Sequence, residues 1–224
     1  MNDVNIIVPA HNEAPRIVAC VQSLYDLYHE GNTITVSTDG NNDGTDRIIT
    51  NYIIKQKLDK VFVTSYPERI GKGGAIKLAL LSGYVNAIYD TDMAASPYAL
   101  EAMWHLLTKK GGVITVKRYA PHRSITRKLL SSTYNNLIRL LFHTGISDHQ
   151  CGCKLLSPEA TTIAEQVTAN DFFYDTELLI KCKHAGLSVT EYSAYWTENK
   201  KKSSVKLWRD SLRMFKQLLT LRFG

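Results

Sequence analysis

The sequence contains no uninterrupted apolar run near the ~18–20 residues that a membrane-spanning helix needs. The first ten residues lack the basic lead and long apolar stretch of a secretory leader, so a cytosolic chain is expected. Cysteine is scarce, with four in 224 residues. Cys151 and Cys153 are separated by one residue, whereas zinc sites usually leave two to four, and no second pair completes a tetrahedral set. Buried free thiols are therefore expected, and no metal–thiolate site. The Gly-x4-Gly-Lys-Ser/Thr spacing of a P-loop is also missing, which disfavours ATP hydrolysis. There is no internal repeat and no low-complexity segment. An apolar share of 44% and a charged share of 21% are those of an ordinary folded chain with a real core.

What charge there is lies unevenly. Residues 199–224 hold eight basic side chains (Lys200, Lys201, Lys202, Lys206, Arg209, Arg213, Lys216, Arg222) against one acid, Asp210, while the chain as a whole carries +6. The body is close to neutral, so an anionic partner should meet the tail. Within that tail Trp208, Leu212, Phe215, Leu219 and Phe223 recur at three- and four-residue steps, with bases on much of the other face. Such a basic amphipathic helix suits an anionic membrane interface. Packing on the core, peptide-type recognition and nucleic-acid binding are its rivals.

Upstream, short apolar segments at 4–9, 33–38, 61–65, 86–89 and 112–116 read as strands. Amphipathic stretches at 14–28, 45–58, 74–84 and 97–109 read as the helices between them. This alternation predicts an α/β fold, with a largely parallel sheet flanked by helices and ligands bound beyond the carboxyl ends of the strands. The expected division is a catalytic domain over 1–198 and a basic loop with an amphipathic helix over 199–224.

Two motifs at such strand ends carry chemistry. Asp90-Thr91-Asp92 follows the strand at 86–89; if the segment is extended, both carboxylates face the same way. Paired hard oxygens there suit Mg²⁺ or Mn²⁺ holding a diphosphate, although a solvated turn has the same composition. Arg69-Ile70-Gly71-Lys72-Gly73-Gly74-Ala75 lies between a strand and a helix, and reads either as an anion cradle or as a structural turn.

Taken together, six ordered segments resemble the family 2 glycosyltransferases. They are Val8-Pro9-Ala10-His11-Asn12-Glu13, the stretch from Ser37 through Asp39-Gly40 to Thr45, Gly71-Lys72-Gly73-Gly74-Ala75, Asp90-Thr91-Asp92, Asp148-His149-Gln150-Cys151-Gly152-Cys153-Lys154-Leu155, and Phe173-Tyr174-Asp175-Thr176-Glu177-Leu178-Leu179. The last two are similar to the polyprenyl-phosphate branch, which transfers glucose or mannose to dolichyl phosphate. The resemblance implies a GT-A (Rossmann-like) fold in which Pro9, Glu13 and Asp39 line a nucleoside pocket. It also implies that Gly71 and Lys72 serve the donor, and that Asp90 and Asp92 hold the metal and diphosphate. The sequence departs from the family's acidic pair at Thr38 and from its serine at Asn41, which leaves the base unassigned.

On the acceptor side, Arg127, Ser131 and Asn135 are four residues apart and share one helix face. A phosphate acceptor is already anionic, so cations that place it matter more than a general base. The resemblance assigns Arg118, Arg127 and Ser131 to that phosphate. Asp148 stands where hydroxyl-acceptor relatives carry a base; here it either positions the acceptor or caps a helix. Asp175 and Glu177 are expected to orient structure. The expected reaction is an inverting, metal-dependent transfer from UDP-glucose, or alternatively GDP-mannose, to a polyprenyl or dolichyl phosphate. It would occur in peripheral contact with the cytoplasmic face of a membrane and without nucleic acid. A hydroxyl acceptor and a basic-tail nucleic-acid module are the competing readings.

Overall fold

The computed structural model describes residues 1–120, 125–197 and 207–223, without the side chains of 125–127 and 207–211. The expected domain boundary after 198, the basic loop beyond it, and the side chains of Arg127 and Trp208 lie outside the described residues.

Strand and helix alternate through β1 (Val4–Ala10), α1 (Ile17–Tyr28), β2 (Thr33–Asp39), α2 (Thr45–Gln56), β3 (Val61–Tyr66), α3 (Lys72–Ala79), β4 (Val85–Tyr89), α4 (Ala99–Lys110) and β5 (Val113–Tyr119). Then come α5 (Ile125–Phe142), β6 (Cys153–Leu156), α6 (Pro158–Glu165), α7 (Tyr174–His184), β7 (Val189–Tyr195) and α8 (Leu207–Phe223). The seven strands form one sheet in the order β3-β2-β1-β4-β6-β5-β7. β1, β2, β3 and β4 pair in parallel, as do β5 and β7, while β6 runs antiparallel to both β4 and β5. The expected largely parallel sheet is therefore present, with one reversed strand.

β1 is apolar along nearly its whole length because both of its faces are covered, as in parallel sheets. α1 turns Ile17, Cys20, Val21, Leu24 and Tyr28 into one core cluster, and α7 with α6 covers a second cluster on the other side of the sheet.

One expectation is corrected here. α3 begins at Lys72 and stops at Ala79 rather than running to 84. Its continuation is captured by Asn86, whose amide accepts from the Leu81 N–H (3.1 Å) and donates to the Leu81 carbonyl (2.9 Å). In α8, the row Leu212, Phe215, Leu219, Phe223 faces outward, and a second row holds the helix on the fold. Leu218 is fully buried there, with Met214 and Leu221 packed beside it.

Candidate active site

The residues expected on the donor side lie at the carboxyl ends of β1, β2 and β4, and at the loop joining β3 to α3. Asp39, at the end of β2 and almost fully buried, accepts the N–H groups of Ile70 (2.6 Å) and Gly71 (3.0 Å). That contact pins the glycine loop. Gly71 has φ +98°, and a Cβ there would lie 2.4 Å from the Asn170 carbonyl, so a side-chain-free residue is required. Glu13 is tied to Arg16 by two bonds of 2.6 Å. Burial pushes its carboxyl up against the opposing pull of Arg16, with Asp92 and Asp90 near enough to add to the rise. Pro9 is joined to the acidic motif through its carbonyl, which accepts from Thr91 Oγ1 (3.3 Å).

Asp90 and Asp92 do not continue the extended strand. β4 ends at Tyr89, and a turn closes with Met93 N–H donating to the Asp90 carbonyl (3.1 Å), Met93 taking φ +50°. The two carboxylates are brought together by this turn rather than by strand alternation. Asp90, Asp92, Gly152 and Trp196 line one small hollow. Burial raises the Asp90 carboxyl, Lys72 draws it down, and Asp92 and Asp175 push it up again, leaving it above the usual range. A Cβ on Gly152 would fall 1.7 Å from Asp90 Oδ2, so the 148–152 segment lies directly against the first acid of the motif.

No cluster of three or more His, Cys, Asp or Glu side chains forms a metal cage among the described residues. Two hard carboxylates that leave the remaining positions to phosphate and water oxygens nevertheless match the habit of Mg²⁺ and Mn²⁺. The position also already attracts a cation, because Lys72 Nζ stands 3.0 and 3.3 Å from the two Asp90 oxygens. The site therefore fits a divalent ion.

Of the residues expected on the acceptor side, Arg118 and Asp148 are joined to one another. The guanidinium donates from Nε and from Nη2 (2.8 Å) to the two carboxylate oxygens, and stacks 5.5 Å above the Trp196 ring. Burial alone would raise the Asp148 carboxyl, but Arg118 holds it below the ordinary range. The Asp148 N–H and both Ser147 donors go to Glu191 Oε1 (2.7–3.0 Å). His149 is fully buried, with Nδ1 on Asn135 Oδ1 (2.9 Å) and Nε2 on Thr144 Oγ1 (3.0 Å); burial depresses it to about 4, so the ring is neutral.

Asn135 of α5 is thereby turned toward the 148–150 segment. Asn135 donates to Ser131 Oγ (3.4 Å), and Ser131 is half-buried. Asp175 and Glu177 are both engaged within the fold. Glu177 accepts from the Thr168 and Ala169 N–H groups (both 2.9 Å), and Asp175 lies between two lysines. The sequence reading missed Glu191, Trp196 and Lys154. Of these only Lys154 carried a signal: a lone lysine inside the apolar run Cys153–Leu156 implies a buried ion pair. A further cleft of about 960 Å³ opens between the loop at 69–72, residues 168–173 and α8, with Arg69, Lys216, Phe172 and Leu221 in its walls.

The profile of glycosyl transferase family 2 matches residues 5–161. Glycosyltransferase AglD of Haloferax volcanii is 31% identical over 230 residues, which cover 97% of this chain and 36% of that protein. The chain thus spans about a third of that relative's length. The dolichyl-phosphate beta-glucosyltransferase of Dictyostelium discoideum is 26% identical over 242 residues, covering 98% of this chain and 74% of that one; the human protein of the same name gives the same figures. Among solved structures, glucosyl-3-phosphoglycerate synthase from Mycobacterium tuberculosis, in complex with Mn²⁺, UDP-glucose and glycerol 3-phosphate, superposes with a TM-score of 0.74 at 20% identity. It covers 99% of this chain and 80% of that one. Such a likeness establishes the GT-A fold. The matched profile spans well over half of the residues and its motifs meet at one end of that fold, so the chain belongs to glycosyl transferase family 2.

Proposed function

We propose that the chain catalyses an inverting transfer of glucose from UDP-glucose to a dolichyl or other polyprenyl phosphate. It would do so with Mg²⁺ or Mn²⁺ at Asp90 and Asp92, in peripheral contact with the cytoplasmic face of a membrane. The observation that carries this reading is the Arg118–Asp148 pair. A hydroxyl acceptor needs a general base. Asp148, which stands where hydroxyl-acceptor relatives carry that base, is held in both oxygens by Arg118, which keeps it ionised. A phosphate oxygen needs no base. It attacks the anomeric carbon directly, while the carbon–oxygen bond to UDP breaks and its electron pair leaves with the diphosphate.

Arg118 presents a fork of five N–H donors, of which Asp148 takes two, so the guanidinium can be positioned by one anion while serving another. Asn135, on the same helix as Ser131 and Arg127, holds His149 of the 148–150 segment. A divalent ion at Asp90 and Asp92 would supply positive charge against the departing diphosphate. Asp39 and Gly71 fix the loop from which Lys72 projects toward that charge.

The relatives' names support glucose as the sugar and dolichyl phosphate as the acceptor. Membrane contact is supported by apolar side chains that α5 and α8 leave exposed, among them Leu140 (71%) and Phe223 (73%). No helix among the described residues is long and apolar enough to cross a membrane. The four cysteines are free and buried, as in a reducing compartment.

The test supplies radiolabelled UDP-glucose or GDP-mannose with Mn²⁺ or Mg²⁺ and a polyprenyl phosphate in detergent, then extracts the lipid. Label should enter the lipid phase from UDP-glucose and be lost in Asp92→Ala and Arg127→Ala. Label from GDP-mannose alone would reassign the donor. Donor hydrolysis without labelled lipid would overturn the acceptor.

A further inference from the structure

Lys72 stands at the outer end of a buried series of alternating charges. At the inner end Lys154, on β6 and fully buried, donates from Nζ to the Cys151 carbonyl and to Asp175 Oδ1 (2.6 Å). Asp175, in the first turn of α7 and 2% exposed, holds Lys72 Nζ with its other oxygen (3.1 Å). Lys72 then reaches Asp90. Charged side chains of β6, α7 and α3 thus form a series whose last member, Lys72, meets Asp90 at the end of β4.

Stability does not explain this arrangement. Desolvation offsets most of the attraction in a buried ion pair, and apolar side chains of similar volume would hold the elements as well. The alternation explains it better. Plus, minus, plus, minus is balanced only while Lys72 rests on Asp90. A cation arriving at Asp90 releases one of the two contacts of Lys72, and Asp175 keeps the ammonium where it is.

We propose that Lys72 is a placeholder for the divalent cation at Asp90, and that Asp175, itself fixed by Lys154, is the positioning residue that lets it hand over. Without ligands the ammonium neutralises Asp90. When metal and nucleoside diphosphate bind together, Lys72 lets go of Asp90 but not of Asp175, and its freed N–H groups turn to the diphosphate oxygens. Metal alone must compete with Lys72 and binds weakly; metal with nucleotide binds cooperatively. The inference rests on the donor-site reading given above.

The test titrates the full chain with Mn²⁺ alone, followed by electron paramagnetic resonance. It then titrates with UDP at saturating Mn²⁺, followed by calorimetry, with thermal unfolding as a check on folding. Lys72→Met should bind Mn²⁺ about 10-fold more tightly than the wild type and UDP about 10-fold more weakly, a coupling of ordinary size. Lys72→Gln carries the same opposite-signed expectation should methionine prevent folding. Lys72→Arg, which keeps the cation, should leave Mn²⁺ binding near the wild-type value. Asp175→Asn should weaken UDP binding without strengthening Mn²⁺ binding. If the wild type binds UDP with Mn²⁺ but both affinities fall together in Lys72→Met, or neither moves, the placeholder is overturned and the donor reading stands. If the wild type shows no Mn²⁺-dependent UDP binding, the donor reading falls and the placeholder falls with it.

Discussion

The two halves of the site are held by different means. On the donor side, the end of one parallel strand fixes the next through backbone groups: Asp39 takes two amide N–H groups of the glycine loop, and the Pro9 carbonyl takes Thr91. On the proposed acceptor side, side chains hold side chains as well as backbone N–H groups. Arg118 meets Asp148 across 30 residues, His149 meets Asn135 across 14, and Glu191 reaches back 44 residues to Ser147. Backbone cradles suit a ligand whose phosphates and sugar ring always have the same shape. A side-chain lattice, bordered by helices with exposed leucines, suits an acceptor whose anionic end is constant and whose remainder lies outside the protein.

This contrast can be broken or sharpened experimentally. The largest effect belongs to α8, which packs on the second core cluster. Leu218→Ala should cost about 2–5 kcal/mol in urea unfolding if α8 is an integral part of the fold. Next comes the acceptor lattice itself. His149 has a folded-state value of about 4 against an ordinary 6.5, so the unfolded chain binds the extra proton. Stability from this group is complete above pH 6.5 and drains away as pH falls toward 4, on the order of 3 kcal/mol in all. Denaturant midpoints measured across that window should fall steeply in the wild type and more gently in His149→Gln.

Gly152→Ala probes the seam between the halves. Its new methyl group must displace the Asp90 carboxylate and with it the Lys72 pair, so transfer should fall on the order of 100-fold and stability by about 1–3 kcal/mol. Equal activity in this variant would show that the two halves are not in contact during turnover. The smallest effect is expected outside. Leu212→Ser with Phe223→Ser should alter stability by less than about 0.5 kcal/mol, yet reduce co-sedimentation with anionic vesicles.

The same contrast governs how much could be read in advance. Strands β1, β2 and β4 and the donor motifs were legible because each is a run of neighbours in the chain, with apolar residues closed by turn formers. β6 and β7 were not assigned. β6 is four residues long and includes a buried lysine, and its strand character comes from lying between β4 and β5. Spacing placed Arg127, Ser131 and Asn135 on one face, but could not show that Arg118 would be engaged by Asp148 or that Asp175 would sit between two lysines. In α8 two apolar rows run side by side, and periodicity marks both without saying which one the fold covers. Leu218, in the row set aside, is the buried residue.

The reversal of β6 has a practical corollary for building hybrid enzymes. Because that strand runs against its neighbours, the segment preceding it arrives at the sheet end that β4 has just left, and Gly152 meets Asp90 there. A crossover anywhere between 90 and 152 would take these two partners from different parents. Junctions placed before Val85 or after Ser157 would keep them together, so exchanges of sugar or lipid preference among relatives should be cut at those points.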